Sequence, residues 1–156
     1  MDLPTRKKNR LPDYDYGQCG VYFITICTRD KQYLLWNPVG ATIGRPLLSD
    51  AGKMVETAIK QIPKRYPEIS VDHFAIMPNH VHLLVRAESA EHISISRVVQ
   101  QFKGAVSKTA GNPLWQKSFY DHVVRNERDY QEIWMYIENN PLRWMEDELY
   151  QDAGIR

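Results

Sequence analysis

The sequence predicts an α+β fold, a ferredoxin-like βαββαβ antiparallel sheet with one additional C-terminal helix. Three observations lead there. Strand-like and helix-like apolar patterns follow the order strand, helix, strand, strand, helix, strand, helix. Each of the two intervening helices shows a single apolar stripe, as a helix covering one face of a sheet must. The two middle strands are separated only by Met77-Pro78-Asn79, short enough for a hairpin. At 156 residues the chain is one domain's worth, long enough to bury a core without disulfide or metal staples. We read residues 1–156 as one domain, with 1–18 a basic N-terminal arm and 141–156 a short acidic C-terminal extension.

The first strand is Val21 to Cys27, β-branched and aromatic throughout, as a central strand requires. After a Pro/Gly-bearing loop, Ala51, Met54, Val55, Ala58, Ile59 and Ile62 recur at helical spacing. Ser49 is placed to cap that helix, and Pro63 to stop it. Ile69–Ile76 and His80–Val85 form the predicted hairpin. Ile95, Val98, Val99, Phe102 and Val106 mark the second helix, and Trp115 to Val124 the last strand. The extra helix spans Asp129 to Asn140, with Tyr130, Ile133, Trp134 and Ile137 as its buried seam. Two helices on one face leave the second face of the sheet open to a ligand.

Apolar residues make up 43% and charged residues 25% of the chain, which excludes disorder and collagen-like repetition. No apolar run approaches the ~20 residues that span a bilayer, and no apolar stretch follows the N-terminal charges as in a secretory signal. Cys19 and Cys27 form neither a metal-ligand spacing nor a disulfide framework, so they read as reduced thiols in a cytoplasmic protein. The net charge of +1 conceals a segregation: +3 over residues 1–11, −1 over 12–96, +4 over 97–128 and −5 over 129–156. Arg6, Lys7, Lys8 and Arg10 suit phosphate contacts from an arm that orders on binding. Arg97, Lys103 and Lys108 lie off the second helix's apolar seam with no acid beside them, and Lys117, Arg125 and Arg128 follow. A solvated helix face is the plain alternative; the missing acids tilt the reading towards a polyanion.

The sharpest local feature is His80-Val81-His82. Side chains alternate along a strand, so His80, His82, Leu84 and Arg86 share one face while Val81, Leu83 and Val85 enter the core. Two imidazoles on one face can bind the same divalent ion, or simply decorate the sheet. Position 84 is not a third histidine, which argues against a histidine-triad hydrolase, and no second HxT or HxS supports a two-histidine phosphoesterase. His73, His92 and His122 read as structural. Tyr136 lies on the flank of the last helix's seam, roughly 110° from its centre, with Asn140 one turn later on the same flank. That flank can present a hydroxyl and an amide to a site. An interfacial tyrosine, with Asn140 capping a helix that starts at Pro141, fits the spacing as well.

These residues together resemble the REP-associated tyrosine transposases, a branch of the single-tyrosine HUH transposases. The likeness runs from Arg10-Leu11-Pro12-Asp13-Tyr14-Asp15-Tyr16 and Tyr22-Phe23-Ile24-Thr25-Ile26-Cys27-Thr28 through Met77-Pro78-Asn79-His80-Val81-His82. It continues in Trp115-Gln116-Lys117-Ser118-Phe119-Tyr120-Asp121-His122 and Arg125-Asn126-Glu127. It ends in Tyr136-Ile137-Glu138-Asn139-Asn140-Pro141-Leu142-Arg143-Trp144. HxH alone is common; HxH followed by a helical Tyr-Ile-x-x-Asn-Pro is much more specific.

The resemblance implies that His80 and His82 are metal ligands, Asn140 the third protein ligand and Tyr136 the nucleophile. It implies a divalent ion, Mg²⁺ or Mn²⁺, and a substrate of single-stranded DNA bearing REP-type palindromic hairpins. It further implies a nucleoid-associated protein that acts as a monomer or a homodimer. Arg86, on the histidine face, is then placed to steady the DNA backbone. Tyr130 and Tyr120 are the reserve nucleophiles. The rival from another class is a non-catalytic single-stranded nucleic-acid-binding module, which needs neither histidine nor metal. A third reading, a phosphohydrolase that uses water, leaves no DNA linked to the protein.

Overall fold

The computed structural model describes residues 20–37, 47–88 and 94–154, the last ten of them by backbone alone. The four strands are β1 (Gly20–Cys27), β2 (Ile69–Ile76), β3 (His80–Ala87) and β4 (Tyr120–Val124). The three helices are α1 (Asp50–Arg65), α2 (Ile95–Ala110) and α3 (Glu127–Gly154). The sheet is antiparallel with order β2-β3-β1-β4, as the ferredoxin-like pattern requires.

The faces of the sheet follow from strand alternation. Tyr22, Ile24, Ile26, Val81, Leu83 and Val85 point to one side and pack with Val55, Ile59 and Ile62 of α1 and Val98, Val99 and Phe102 of α2. On the other side, Phe23, Ala75, Met77 and Leu84 pack against Ile133 and Ile137 of α3. The second face is therefore not open over its middle, because α3 lies across it. Cover on both faces is what makes β1 apolar at nearly every position.

Local chemistry sets the boundaries. The Ser49 hydroxyl accepts from the Gly52 N–H at 3.0 Å, capping α1 as the sequence predicts. Position 52 has to be glycine, because a Cβ there would collide with the Leu35 carbonyl. Gly111, at φ 82°, ends α2 in the left-handed conformation, its N–H bonded to the Ser107 carbonyl at 2.9 Å.

Two prolines do not stop their helices. α1 runs past Pro63 to Arg65, and α3 runs through Pro141 to Gly154. Each proline lacks the N–H of one helical bond, yet later residues are anchored: the Tyr66 N–H bonds to the Ile62 carbonyl, and Trp144 packs on the α3-side core. Residues 141–154 thus continue α3 instead of forming a separate extension, and Asn140 lies inside the helix instead of capping one. The last strand is also shorter than predicted, since Trp115 makes only an isolated bridge to Thr28 before β4 begins at Tyr120. No helix among the described residues is long and apolar enough to cross a membrane.

Candidate active site

Register brings the candidate residues together. On the α3 side, Cys27 lies opposite His80 and Thr25 opposite His82, with Tyr120 of β4 on the other flank of Thr25. The imidazoles converge, His80 Nε2 standing 3.1 Å from His82 Nε2. The opposite ring nitrogens are held from behind: His80 Nδ1 meets Asn79 Oδ1 at 2.7 Å, and His82 Nδ1 meets Thr25 Oγ1 at 3.0 Å. An amide oxygen only accepts, so His80 carries its proton on Nδ1 and offers a lone pair at Nε2. The Thr25 hydroxyl can donate or accept and so suits either tautomer of His82.

Burial keeps both rings uncharged. His82 is fully buried and its pKa falls well below the ordinary histidine value, first through burial and then through His80 beside it. Burial, with the nearby Lys31 charge, lowers His80 to about 4. The Cys27 thiol is pushed up by burial, against the pull of Lys31, and is a free, buried cysteine.

α3 supplies the tyrosine. With Ile133 and Ile137 buried, the helix rotation sets Tyr136 against Phe23 and His82. Its ring centroid is 5.4 Å from His82 and 6.0 Å from Phe23, both steeply tilted. The outer flank of Tyr136 borders a depression of about 600 Å³ lined by Gln131, Glu132, Met135, Asn139 and Arg143. Among the described residues the Tyr136 hydroxyl has no hydrogen-bond partner. Asn140, half-buried, is one turn beyond Tyr136. Trp144 closes the next turn, its ring 5.9 Å from His80.

The donor set fits a divalent ion. Two neutral nitrogens 3.1 Å apart match the edge of an octahedron with metal–ligand bonds of about 2.1 Å, which is about 3 Å. Among the described residues no group of three or more His, Cys, Asp or Glu side chains is placed to hold a metal. From the described residues, a further ligand would be of another kind, such as an amide, alongside water or phosphate.

Several predicted residues are placed elsewhere. The Arg86 guanidinium is engaged by Asp72, with Nε and Nη2 donating to Oδ2 at 3.0 and 2.8 Å. The hydroxyl of Tyr130, a reserve nucleophile in the sequence reading, donates to the same oxygen at 2.8 Å. Asp72 reaches this position at a β-bulge between Val71 and His73. Lys103 Nζ donates to the Gln116 carbonyl at 2.6 Å and to that of Lys117 at 3.2 Å, anchoring the chain before β4. Arg97 and Lys108 are exposed on α2, behind the opposite sheet face. Arg125 is exposed after β4, at the far end of the sheet from the histidines. His73, read from the sequence as structural, pairs with Glu138 and stacks on Trp134, and His122, read likewise, pairs with Asp129. Arg6, Lys7, Lys8, Arg10, Cys19 and His92 lie outside the described residues.

Sequence reasoning missed Thr25, Asn79 and Lys31 as parts of the site. Asn79 precedes the histidine motif and carried a local signal; Thr25 is found only through strand register.

Comparison with known proteins agrees with this architecture. The family model described as "Transposase IS200 like" matches residues 45–140. An uncharacterized protein of Haemophilus influenzae is 33% identical over 94% of both chains. A REP-associated tyrosine transposase of Escherichia coli is 23% identical, over 82% of this chain and 70% of its own. A solved REP-associated tyrosine transposase bound to a REP hairpin superposes with TM-score 0.64 at 21% identity, covering 86% of this chain and 73% of that one, and so shares the fold. The chain belongs to the IS200-like transposase family, in the company of the REP-associated tyrosine transposases.

Proposed function

We propose that the protein is a metal-dependent single-stranded DNA endonuclease and strand transferase that acts on REP-type hairpins through a 5′-phosphotyrosine at Tyr136. The observation that carries this reading is the edge-on contact of the α3 tyrosine with the buried, neutral His82 of the histidine pair, ring centroids 5.4 Å apart at 62°. His80, His82 and Asn140 are the residues to hold Mg²⁺ or Mn²⁺; imidazole with an amide is softer than an all-oxygen set, which favours Mn²⁺ at least equally. The ion, when bound, polarises the scissile phosphate and offsets charge growing on its oxygens.

The chain's own groups do the rest. A tyrosine hydroxyl has pKa near 10 and is a weak nucleophile at neutral pH, so its orientation by α3 packing matters. The Tyr136 oxygen attacks phosphorus and loses its proton; the bond to the 3′-oxygen breaks, and that oxygen leaves as a protonated 3′-hydroxyl. The new phosphotyrosyl ester keeps the energy of the phosphodiester, so a second 3′-hydroxyl can reverse the step and join strands without ATP. Asn79 and Thr25 orient the imidazoles from behind, as outer partners do in histidine metal sites. The exposed Arg97, Lys108 and Arg125, with the arm residues Arg6, Lys7, Lys8 and Arg10, supply phosphate contacts to the hairpin away from the cut. Arg86 contributes through its Asp72-bound side chain, which is 40% exposed.

The test replaces both histidines. A His80→Ala/His82→Ala protein should bind hairpin DNA with a single-stranded flank as the wild type does, and cut none of it in Mn²⁺. Cleavage by that variant at the wild-type rate overturns the proposal, as does a wild type that binds without metal-dependent cleavage.

A further inference from the structure

The turn that follows β1 has no role in the chemistry above, yet it adjoins the histidines. Thr28 is fully buried and pins it: its N–H bonds to the Asn79 carbonyl at 2.9 Å and its hydroxyl donates to the Gln32 carbonyl at 2.7 Å. Leu34 and Leu35 then both donate to the Pro78 carbonyl at 3.0 Å, and Leu35 is buried in the core. Asp30 and Lys31, neither of them glycine, adopt φ of 56° and 52°. Two consecutive left-handed residues are costly, and such conformations persist where surrounding structure enforces them. Arg29, Lys31 and Tyr33 are exposed on this turn, whose backbone is bonded to that of Pro78 and Asn79.

Tyr33 is 49% exposed, one of few large apolar side chains so placed among the described residues. Its ring centroid is 5.7 Å from that of Trp144, at an interplanar angle of 66°. Trp144 in turn reaches His80 at 5.9 Å and 62°. An aromatic row therefore leads from the histidine pair outward across Trp144 to a half-exposed tyrosine. Lys31 carries a positive charge on the same turn, is exposed, and its carbonyl accepts from the side-chain amide of Asn79, next to His80, at 3.5 Å. Aromatic rings beside a cation are the combination that holds unpaired bases, because every base has a π-face and every linkage an anionic phosphate.

We propose that Tyr33 and Trp144, with Lys31, form a seat for one unpaired nucleotide of the DNA strand next to the scissile phosphate. The base stacks on the aromatic pair and its phosphate meets Lys31. This deepens the nuclease reading and rests on its placement of DNA over the histidines. Duplex DNA is excluded from the seat, since its bases are already stacked on one another. The seat thus favours a single-stranded flank over the hairpin stem.

The test uses the full chain in chelator, so that binding is read without cleavage. Two labelled probes are titrated: a blunt REP-type hairpin, and the same hairpin with a single-stranded flank. Tyr33→Ala should weaken binding of the flanked probe about tenfold and leave the blunt hairpin unchanged. Tyr33→Phe and Trp144→Phe should retain most of the affinity, which shows that the ring is what matters and guards against a folding defect. Lys31→Ala should lower the salt slope for the flanked probe by about 0.7. An abasic nucleotide at one flank position should mimic Tyr33→Ala in the wild type and add nothing in the variant. Equal losses on both probes, or none on either, overturn the seat. A covalent-adduct assay in Mn²⁺ is run in parallel. Adduct without flank dependence overturns the seat alone, and flank dependence without adduct supports the seat while refuting the nuclease reading.

Discussion

Thr25→Val tests whether the site is organised from behind. The substitution keeps the shape of a 3% exposed side chain and deletes the hydroxyl that meets His82 Nδ1 at 3.0 Å. His82 is fully buried, so water cannot replace that partner. Without metal, an unsatisfied buried polar group costs about 1–3 kcal/mol, and the variant should lose about that much stability to urea in chelator. With metal the lost contact is stronger, because a ring donating to oxygen while bound to a cation makes a charge-assisted bond, roughly twice as strong as a neutral one. The difference appears as weaker metal binding, about tenfold, at the lower end of the 10–100-fold typical for outer partners of metal-bound histidines. Titration calorimetry with Mn²⁺ reads the affinity, and Thr25→Ser should restore both quantities. A folded Thr25→Val protein that binds Mn²⁺ within twofold of wild type refutes the argument.

Other consequences follow from the same geometry. Both histidines are held neutral, so below pH 6.5 the unfolded chain takes up protons that the folded site refuses, down to about 4 for His80. Stability in chelator is therefore full above pH 6.5 and should fall as pH drops from 6.5 to 4, by about 3 kcal/mol for His80 alone. Urea midpoints across that window check this, and His80→Gln/His82→Gln should flatten the profile; a flat wild-type profile contradicts it. Gly52→Ala drives a methyl group into the Leu35 carbonyl and should destabilise by about 2 kcal/mol despite the better helix former, measured by thermal melting. Asp72→Asn removes the charge that holds Arg86 and Tyr130. Because Arg86 is partly exposed, the loss should be near 1 kcal/mol, and an unchanged melting temperature speaks against a structural role for this cluster.

The residues show why parts of this protein were legible in its sequence. The β1 run and the α1 and α2 stripes are dictated by burial, and burial writes a period into the chain. The α3 seam was visible for the same reason, since Ile133 and Ile137 are its most buried positions. Its continuation past Pro141 was not visible, because the missing hydrogen bond is local while the compensating contact of Trp144 is tertiary. The histidine pair was legible through strand alternation, whereas Tyr136 was ambiguous on the helix flank until its motif was weighed with HxH. Asp72 as partner of Arg86 depends on a bulge that no alternation pattern reveals. Charge segregation pointed to DNA, yet Lys103 serves the fold, and among the described residues a cation that acts on His80 is Lys31, in a block with net charge near zero.

The central claim is that Tyr136 becomes covalently linked to DNA. The direct measurement is to incubate the protein with single-stranded REP-type hairpin DNA and Mn²⁺, denature, and map any DNA-bearing peptide by mass spectrometry. A denaturation-resistant adduct is expected on the peptide containing Tyr136, absent with chelator and absent from Tyr136→Phe, which still binds the hairpin. Cleaved DNA with no protein attached, or an adduct of normal yield in Tyr136→Phe, contradicts it.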